Sequence, residues 1–327
     1  MRYARLVLIS LVALLSCACS KPPAQPPAAT PESPDPTDEP RFAVFSPAIG
    51  VMLRDLGFED NIVGRHSYDN AISQSIPPIG SHIEIDDEML ISIDPNILIF
   101  ETNSIEIPQR IRDLAQERNW IIWTHKLESL DDIAITLDDL YLKLVGFPSD
   151  ANSDDDPLTF EVDPTKRFEV ELPSARLAKS WSPVGRDATI AGRTLLLAGT
   201  DPPGALGPSS FHAQLIERMG MTPAITTGGM WQQLDLEDII NLAPDSILIF
   251  SPETESQAIG EPEPLQWSEI QETLGPIANL DLPAIQSQRV VVITHPQGLL
   301  PSSTLAQVAD EIRKTLAAWR ERSEIEP

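Results

Sequence analysis

One phrase is written twice in this chain. Residues 85–100 read IDDEMLISIDPNILIF and residues 234–250 read LDLEDIINLAPDSILIF. Each copy has acidic residues that suit the start of a short helix, a proline that cannot continue it, and an apolar run of the kind that forms a strand buried on both faces. Two further echoes follow in order: Leu53 to Gly57 is matched by Ile216 to Gly220, a helix end with glycine at its stop, and Ile122 to His125 by Val292 to His295. The offsets are 149 (237 − 88), 163 (220 − 57) and 170 (295 − 125). Unequal offsets exclude a solenoid of fixed period and fit two diverged lobes that carry different loops.

Within each lobe apolar strands alternate with amphipathic helices. In the first, strands are predicted at 42–45, 61–63, 97–100 and 120–123, with helices at 49–56, 88–93 and 108–118 between them. The second is predicted to have strands at 194–198, 247–250 and 290–293 and helices at 211–219, 237–242, about 270–274 and 304–319. The class is therefore α/β, with parallel pairing and helices on the sheet faces. A helix over 130–145 lies between the lobes, with Ile133, Leu137, Leu140, Tyr141 and Leu144 at helical spacing. Past an acidic stretch a further helix is expected from Lys166 to Trp181, interrupted by Pro173.

The amino-terminal residues carry Arg2 and Arg5 and then an apolar run from Leu6 to Leu15, the composition of a secretory signal and too short to span a bilayer. The run closes on Leu14, Leu15, Ser16 and Cys17, which resembles a bacterial lipobox; Cys17 is the expected acylation site, with Cys19 the weaker candidate. These are the chain's 2 cysteines, so no disulfide or thiolate metal site is expected in the folded part. Residues 21–40 hold eight prolines, at 22, 23, 26, 27, 31, 34, 36 and 40, a composition that stays extended and reads as a tether. The expected divisions are a signal peptide at 1–16, lipidated cysteine and tether at 17–40, a first lobe at 41–127, a linker at 128–190, a second lobe at 191–320 and a tail at 321–327. Loss of Arg2 and Arg5 takes the net charge from −26 to −28, which repels phosphate backbones and excludes nucleic acid as a partner.

Ser46 and Pro47 after the first strand, the stretch from Ile62 to Asp69 after the second, Ile79 to Ser81, and the twice-written phrase together resemble the helical-backbone periplasmic binding proteins of ABC importers. The similarity covers about residues 41–145 and 190–320. It implies two Rossmann-like lobes joined by a helical linker, the class III periplasmic binding protein fold, with a cleft that closes little around its ligand. It implies no catalytic cofactor and no enzyme activity. The cargo is a metal chelate, cobalamin or another corrinoid first, haem or a ferric siderophore next. Siderophores rank lower because the cleft loops offer little basic residue beyond Arg65. The protein is expected as a monomer, lipid-anchored on the periplasmic or cell-surface side. The alternatives are a stand-alone metal- or haem-scavenging or sensor lipoprotein, or an extracytoplasmic enzyme on the same fold.

Read as residues, Glu88 and Glu237 compensate a helix dipole in the first turn. The resemblance implies instead that they dock on arginines of the two permease subunits. His66, His125 and His295 come at or just after strand ends, where open parallel sheets hold ligands, and His82 follows in the next loop. Imidazoles at 125 and 295 could coordinate a chelated metal axially from opposite lobes; ordinary loop histidines are the bland alternative. His212 sits inside a helix and reads as structural. The resemblance implies that Tyr68 and Trp231 lie at the cleft mouth and offer flat faces to a corrin or porphyrin; the bland alternative is packing beside Ile62 and Leu234. Ser46 and Pro47 complete the expected cleft. Asp150, Asn152, Asp154 and Glu161 match calcium-loop spacing, but Asp155 stands where the loop needs glycine, so a solvated acidic loop is expected.

Overall fold

The apolar runs pair as parallel strands. In the computed structural model, which describes residues 39–81, 83–102, 106–145, 172–252 and 266–325, the first lobe contains β1 (Phe42–Val44), β2 (Ile62–Gly64), β3 (Ile97–Glu101) and β4 (Ile121–His125), in the order β2-β1-β3-β4. Its helices are α1 (Pro47–Asp55), α2 (Asp87–Ile93) and α3 (Gln109–Arg118). Three helices connect the lobes: α4 (Leu130–Leu144), α5 (Pro173–Ser180) and α6 (Asp187–Ala191). Pro173 starts α5 instead of interrupting a longer helix, because proline at a first helical position has no hydrogen bond to lose. The signal, Cys17, the acidic stretch with its calcium-loop spacing, and the start of the expected 166–181 helix lie outside the described residues.

The second lobe repeats the first strand for strand, and then adds to it. Its strands are β5 (Arg193–Thr200), β6 (Pro203–Leu206), β7 (Thr222–Pro223), β8 (Trp231–Gln233), β9 (Ser246–Phe250) and β10 (Val290–Ile293). Strands β7, β5, β9 and β10 are parallel neighbours and stand where β2, β1, β3 and β4 stand. Strands β6 and β8 are extra: β6 runs antiparallel to the far half of β5, and β8 antiparallel to β6. The helices are α7 (Phe211–Arg218), α8 (Leu236–Leu242), α9 (Trp267–Leu274), α10 (Pro283–Gln286) and α11 (Leu305–Ile325).

The echoes are reproduced at the level of hydrogen bonds. Ser46 caps α1 and Ser210 caps α7. Gly57 (φ 87) and Gly220 (φ 86) stop those helices, and the next N–H closes back on Leu53 O at 2.9 Å and on Ile216 O at 2.8 Å. Helices α2 and α8 start on Asp86 and Asp235 and end on left-handed Asp94 (φ 43) and Ala243 (φ 42), each followed by proline.

The third echo is out of register. Leu98 pairs with Ile122, and Ile247 with Val290. The first members differ by 149 (247 − 98) and the second by 168 (290 − 122), so the register counterpart of His125 is Ile293. His295 falls two residues later, beyond the strand end. The expected matching of the two histidines is corrected: His125 is inside a strand and His295 in the loop that follows one.

Alternate residues of the central strands divide between the sheet faces, as the pleat requires. Ile97, Ile99, Leu248 and Phe250 join one cluster with Ile133, Leu137 and Leu140 of α4, Ile216 of α7 and Leu316 of α11. Leu98 and Phe100 face an outer cluster in the first lobe, Ile247 and Ile249 one in the second. The lobes therefore share their inner core, with α4 inside it. Ser303 Oγ also donates to Asp55 Oδ2 at 2.5 Å across the lobes. A continuous core of this kind resists hinge opening.

Candidate functional site

The carboxyl ends of the two parallel sheets define where a ligand is received. After β2 the chain turns through Arg65, His66 and Tyr68. The Arg65 guanidinium donates to Ile76 O at 2.9 Å and to His66 O and Asp69 O, both at 3.2 Å. It is buried, and its donors hold this loop closed. His66 is buried too, and its Nδ1 accepts from the Tyr68 N–H at 3.1 Å. That bond sets Tyr68, which is 79 % exposed with its ring 5.7 Å from the imidazole. Beneath the turn Asp69 is buried, its carboxyl pushed up to about 6 by desolvation. Its Oδ2 lies against Gly50 of α1, where a β-carbon would come within 2.7 Å.

Beside Tyr68 is a cavity of about 370 Å³, lined by Ser67, Pro78, Gly80, Ser81, Glu84 and Ile85 among others. Gly80 (φ 100) shapes its floor; a β-carbon there would collide with Glu84 O. His82 lies outside the described residues.

At the ends of β1, β3 and β4 the expected contacts are enclosed. Ser46 is 1 % exposed; its hydroxyl accepts from Ile49 N as the α1 cap and donates to Glu101 Oε2 at 2.7 Å. Pro47 occupies the first turn of α1. His125 is 6 % exposed, its Nδ1 3.7 Å from Asp139, which also binds Lys143 Nζ at 2.6 Å. Burial first, and then the Lys143 charge, lower its pKa to about 4 against the pull of Asp139, so the imidazole is neutral at neutral pH. Its Nε2 is enclosed with no hydrogen-bond partner among the described residues. That geometry makes it a packed strand residue with no open path to a ligand. Lys126 pairs with Glu128 at 2.6 Å.

In the second lobe Trp231, 54 % exposed, stands on β8 against β6. Its indole lies over Gly204, where a β-carbon would come within 2.1 Å of the ring. Any side chain at 204 displaces the tryptophan. His295 is half-buried and its Nδ1 accepts from Gln297 N at 3.2 Å. Burial pushes the Glu311 carboxyl up to about 7, opposed first by the Lys314 charge and then by a backbone hydrogen bond at Thr294. His212 is fully enclosed, its ring 4.3 Å from Phe211 and 4.5 Å from Phe250, with Nε2 donating to Gly298 O at 2.8 Å. The carbonyl only accepts, which assigns the proton to Nε2; burial lowers the pKa to about 4. Glu88 and Glu237 are exposed, each the second residue of its helix.

Sequence reasoning missed Glu101, Asp69, Glu311 and the seat at Gly204. Glu101 had a signal, an acid closing the run from Ile97 to Phe100. The other three depend on contacts between distant segments.

No protein-family model matches the sequence, and no curated protein matches it. Solved structures do. The periplasmic vitamin B12 binding protein BtuF of Vibrio cholerae superposes with a TM-score of 0.55 at 14% identity over 86% of this chain and 97% of that one. The periplasmic haem-binding protein HutB of Vibrio cholerae gives 0.61 at 15% identity over 85% and 99%. The haem-binding protein BhuT, solved with two haems, gives 0.57 at 18% over 85% and 98%. The chain has the class III periplasmic binding protein fold. Among the described residues, Tyr68 after β2 and Trp231 at the start of β8 are exposed aromatics, one in each lobe, and α4 is a connecting helix.

Proposed function

We propose that this chain is the extracytoplasmic solute-binding component of an ABC importer. It receives a metal chelate, a corrinoid first and haem or a ferric siderophore next, between its lobes and releases it chemically unchanged to a permease. The observation that carries this reading is that each lobe exposes one aromatic past its parallel core, Tyr68 in the loop after β2 and Trp231 on the added strand β8, in the fold of the B12 and haem binders. A flat aromatic face against a flat macrocycle buries large apolar area at little entropic cost. His82 and His295 complete the proposed contact set, and His66, which is buried, acts by holding Tyr68. Ser46, Pro47 and His125 act through the frame, because the first two build the α1 cap and the third is enclosed. Acylation of Cys17 and the proline-rich tether hold the protein at the membrane surface. Glu88 and Glu237, at equal places on the two lobes, meet arginines of the permease.

Titration with cobalamin and with haem tests the cleft, read by corrin or Soret absorbance. Tyr68→Ala and Trp231→Ala are each expected to weaken binding by about five- to a hundredfold, corresponding to ~1–3 kcal/mol of lost apolar contact. Binding of neither chelate removes corrinoid and haem as cargo, and unchanged affinity in both variants removes Tyr68 and Trp231 as contacts. Glu88→Arg with Glu237→Arg is expected to abolish uptake while chelate affinity stays within about twofold.

A further inference from the structure

The twice-written phrase repeats an exposed isoleucine. Ile91 lies three residues after Glu88 and Ile240 three after Glu237, the same offset of 149 (240 − 91). Residues three apart share one face of a helix. Leu90 and Ile239, immediately before them, are fully buried and anchor each helix with the same rotation. Ile91 is consequently 38 % exposed and Ile240 49 %. Local stability does not account for them: a β-branched residue is a poorer helix former than leucine or lysine, and α2 and α8 are only seven residues long.

Both helices return antiparallel to the strands they precede, so their first turns lie at the same sheet edge as the ligand-binding ends. Carboxylates flank each isoleucine: Asp86, Asp87 and Glu88 on one lobe, where Arg110 pairs with Asp87 at 3.0 Å and leaves Asp86 and Glu88 in excess, and Asp235, Glu237 and Asp238 on the other. Such a surface is repelled by anionic lipid and complements a basic protein face. A monomer that displays one motif twice is matched by a partner with two like subunits, each taking one copy.

We infer that Ile91 and Ile240 enter apolar recesses on the two permease subunits, beside the basic groups that receive Glu88 and Glu237. This rests on the importer reading above and names the apolar half of its docking surface. The carboxylates orient the encounter; the isoleucines exclude water around the ion pairs and lengthen the life of the complex.

The test uses the full chain and the two-subunit permease of its host's metal-chelate importer in lipid nanodiscs. Ile91→Ala with Ile240→Ala is expected to weaken permease binding by about tenfold or more. Its salt dependence, chelate affinity and melting temperature should stay as in the wild type. Glu88→Gln with Glu237→Gln should instead flatten the salt dependence. The two isoleucine single variants should lose similar amounts. Wild-type permease affinity in the double isoleucine variant, with the glutamate variant weakened, overturns this inference and leaves the importer reading standing. A loss confined to one lobe overturns the two-fold match. A wild-type chain with no affinity for the permease overturns both.

Discussion

The two lobes share a parallel core and differ past the carboxyl ends of their first strands. In the first, β1 is three residues long and leads directly into α1 through the Ser46 cap. In the second, β5 has eight residues and its far half pairs with β6, so the chain turns back before reaching Ser210 and α7. The insertion carries Gly204, the seat on which β8 lays Trp231. The first lobe presents its aromatic differently, on a loop closed by Arg65 and His66. Like cores with unlike rims teach that the duplicated pattern specifies the frame, while each lobe's exposed aromatic comes from what it adds to that frame.

The comparison breaks most visibly at the shared core. Ile99→Ala in the first lobe and Leu248→Ala in the second should each destabilise by ~2–5 kcal/mol, because both face the same inner cluster. Denaturant melts should stay a single transition in both variants; separate transitions for the two lobes would show that the core is divided.

The buried titratable groups sharpen the contrast, with Asp69 in the first lobe opposed to His212 in the second. The folded pKa of His212, about 4, is below its ordinary 6.5, so its contribution is present above 6.5 and lost as pH falls toward 4. Asp69 is raised from 3.8 to about 6, so its burden on the fold is absent below 3.8 and grows as pH rises to 6. Asp69→Asn should therefore stabilise the protein at pH 7.5 by ~1–3 kcal/mol, with the gain vanishing near pH 4. Melting temperatures across that range check the sign; a gain that grows on acidification contradicts it.

The smallest effect separates the matching caps. Ser46→Ala and Ser210→Ala should each cost ~0.5–2 kcal/mol. The first should exceed the second by ~1 kcal/mol, because Ser46 also loses its bond to Glu101. Equal losses by thermal denaturation would mean that this bond contributes nothing.

By itself the sequence determined the frame. The acid–helix–proline–strand phrase, the glycine stops at Gly57 and Gly220 and the period of α4 are local patterns, and local hydrogen bonding and burial periodicity were enough to place them. Only the tertiary structure decided that Thr-His in the first lobe belongs to a strand and in the second to a loop, since register is set by pairing between strands and not by the letters they share. It also decided that Arg65 holds its own loop, that Asp69 lies against Gly50, and that Trp231 rests on Gly204. The last two are contacts between segments separated in the chain and the first is a loop folded back on one guanidinium, and in each a missing β-carbon or a carbonyl within reach changes what a side chain is free to do.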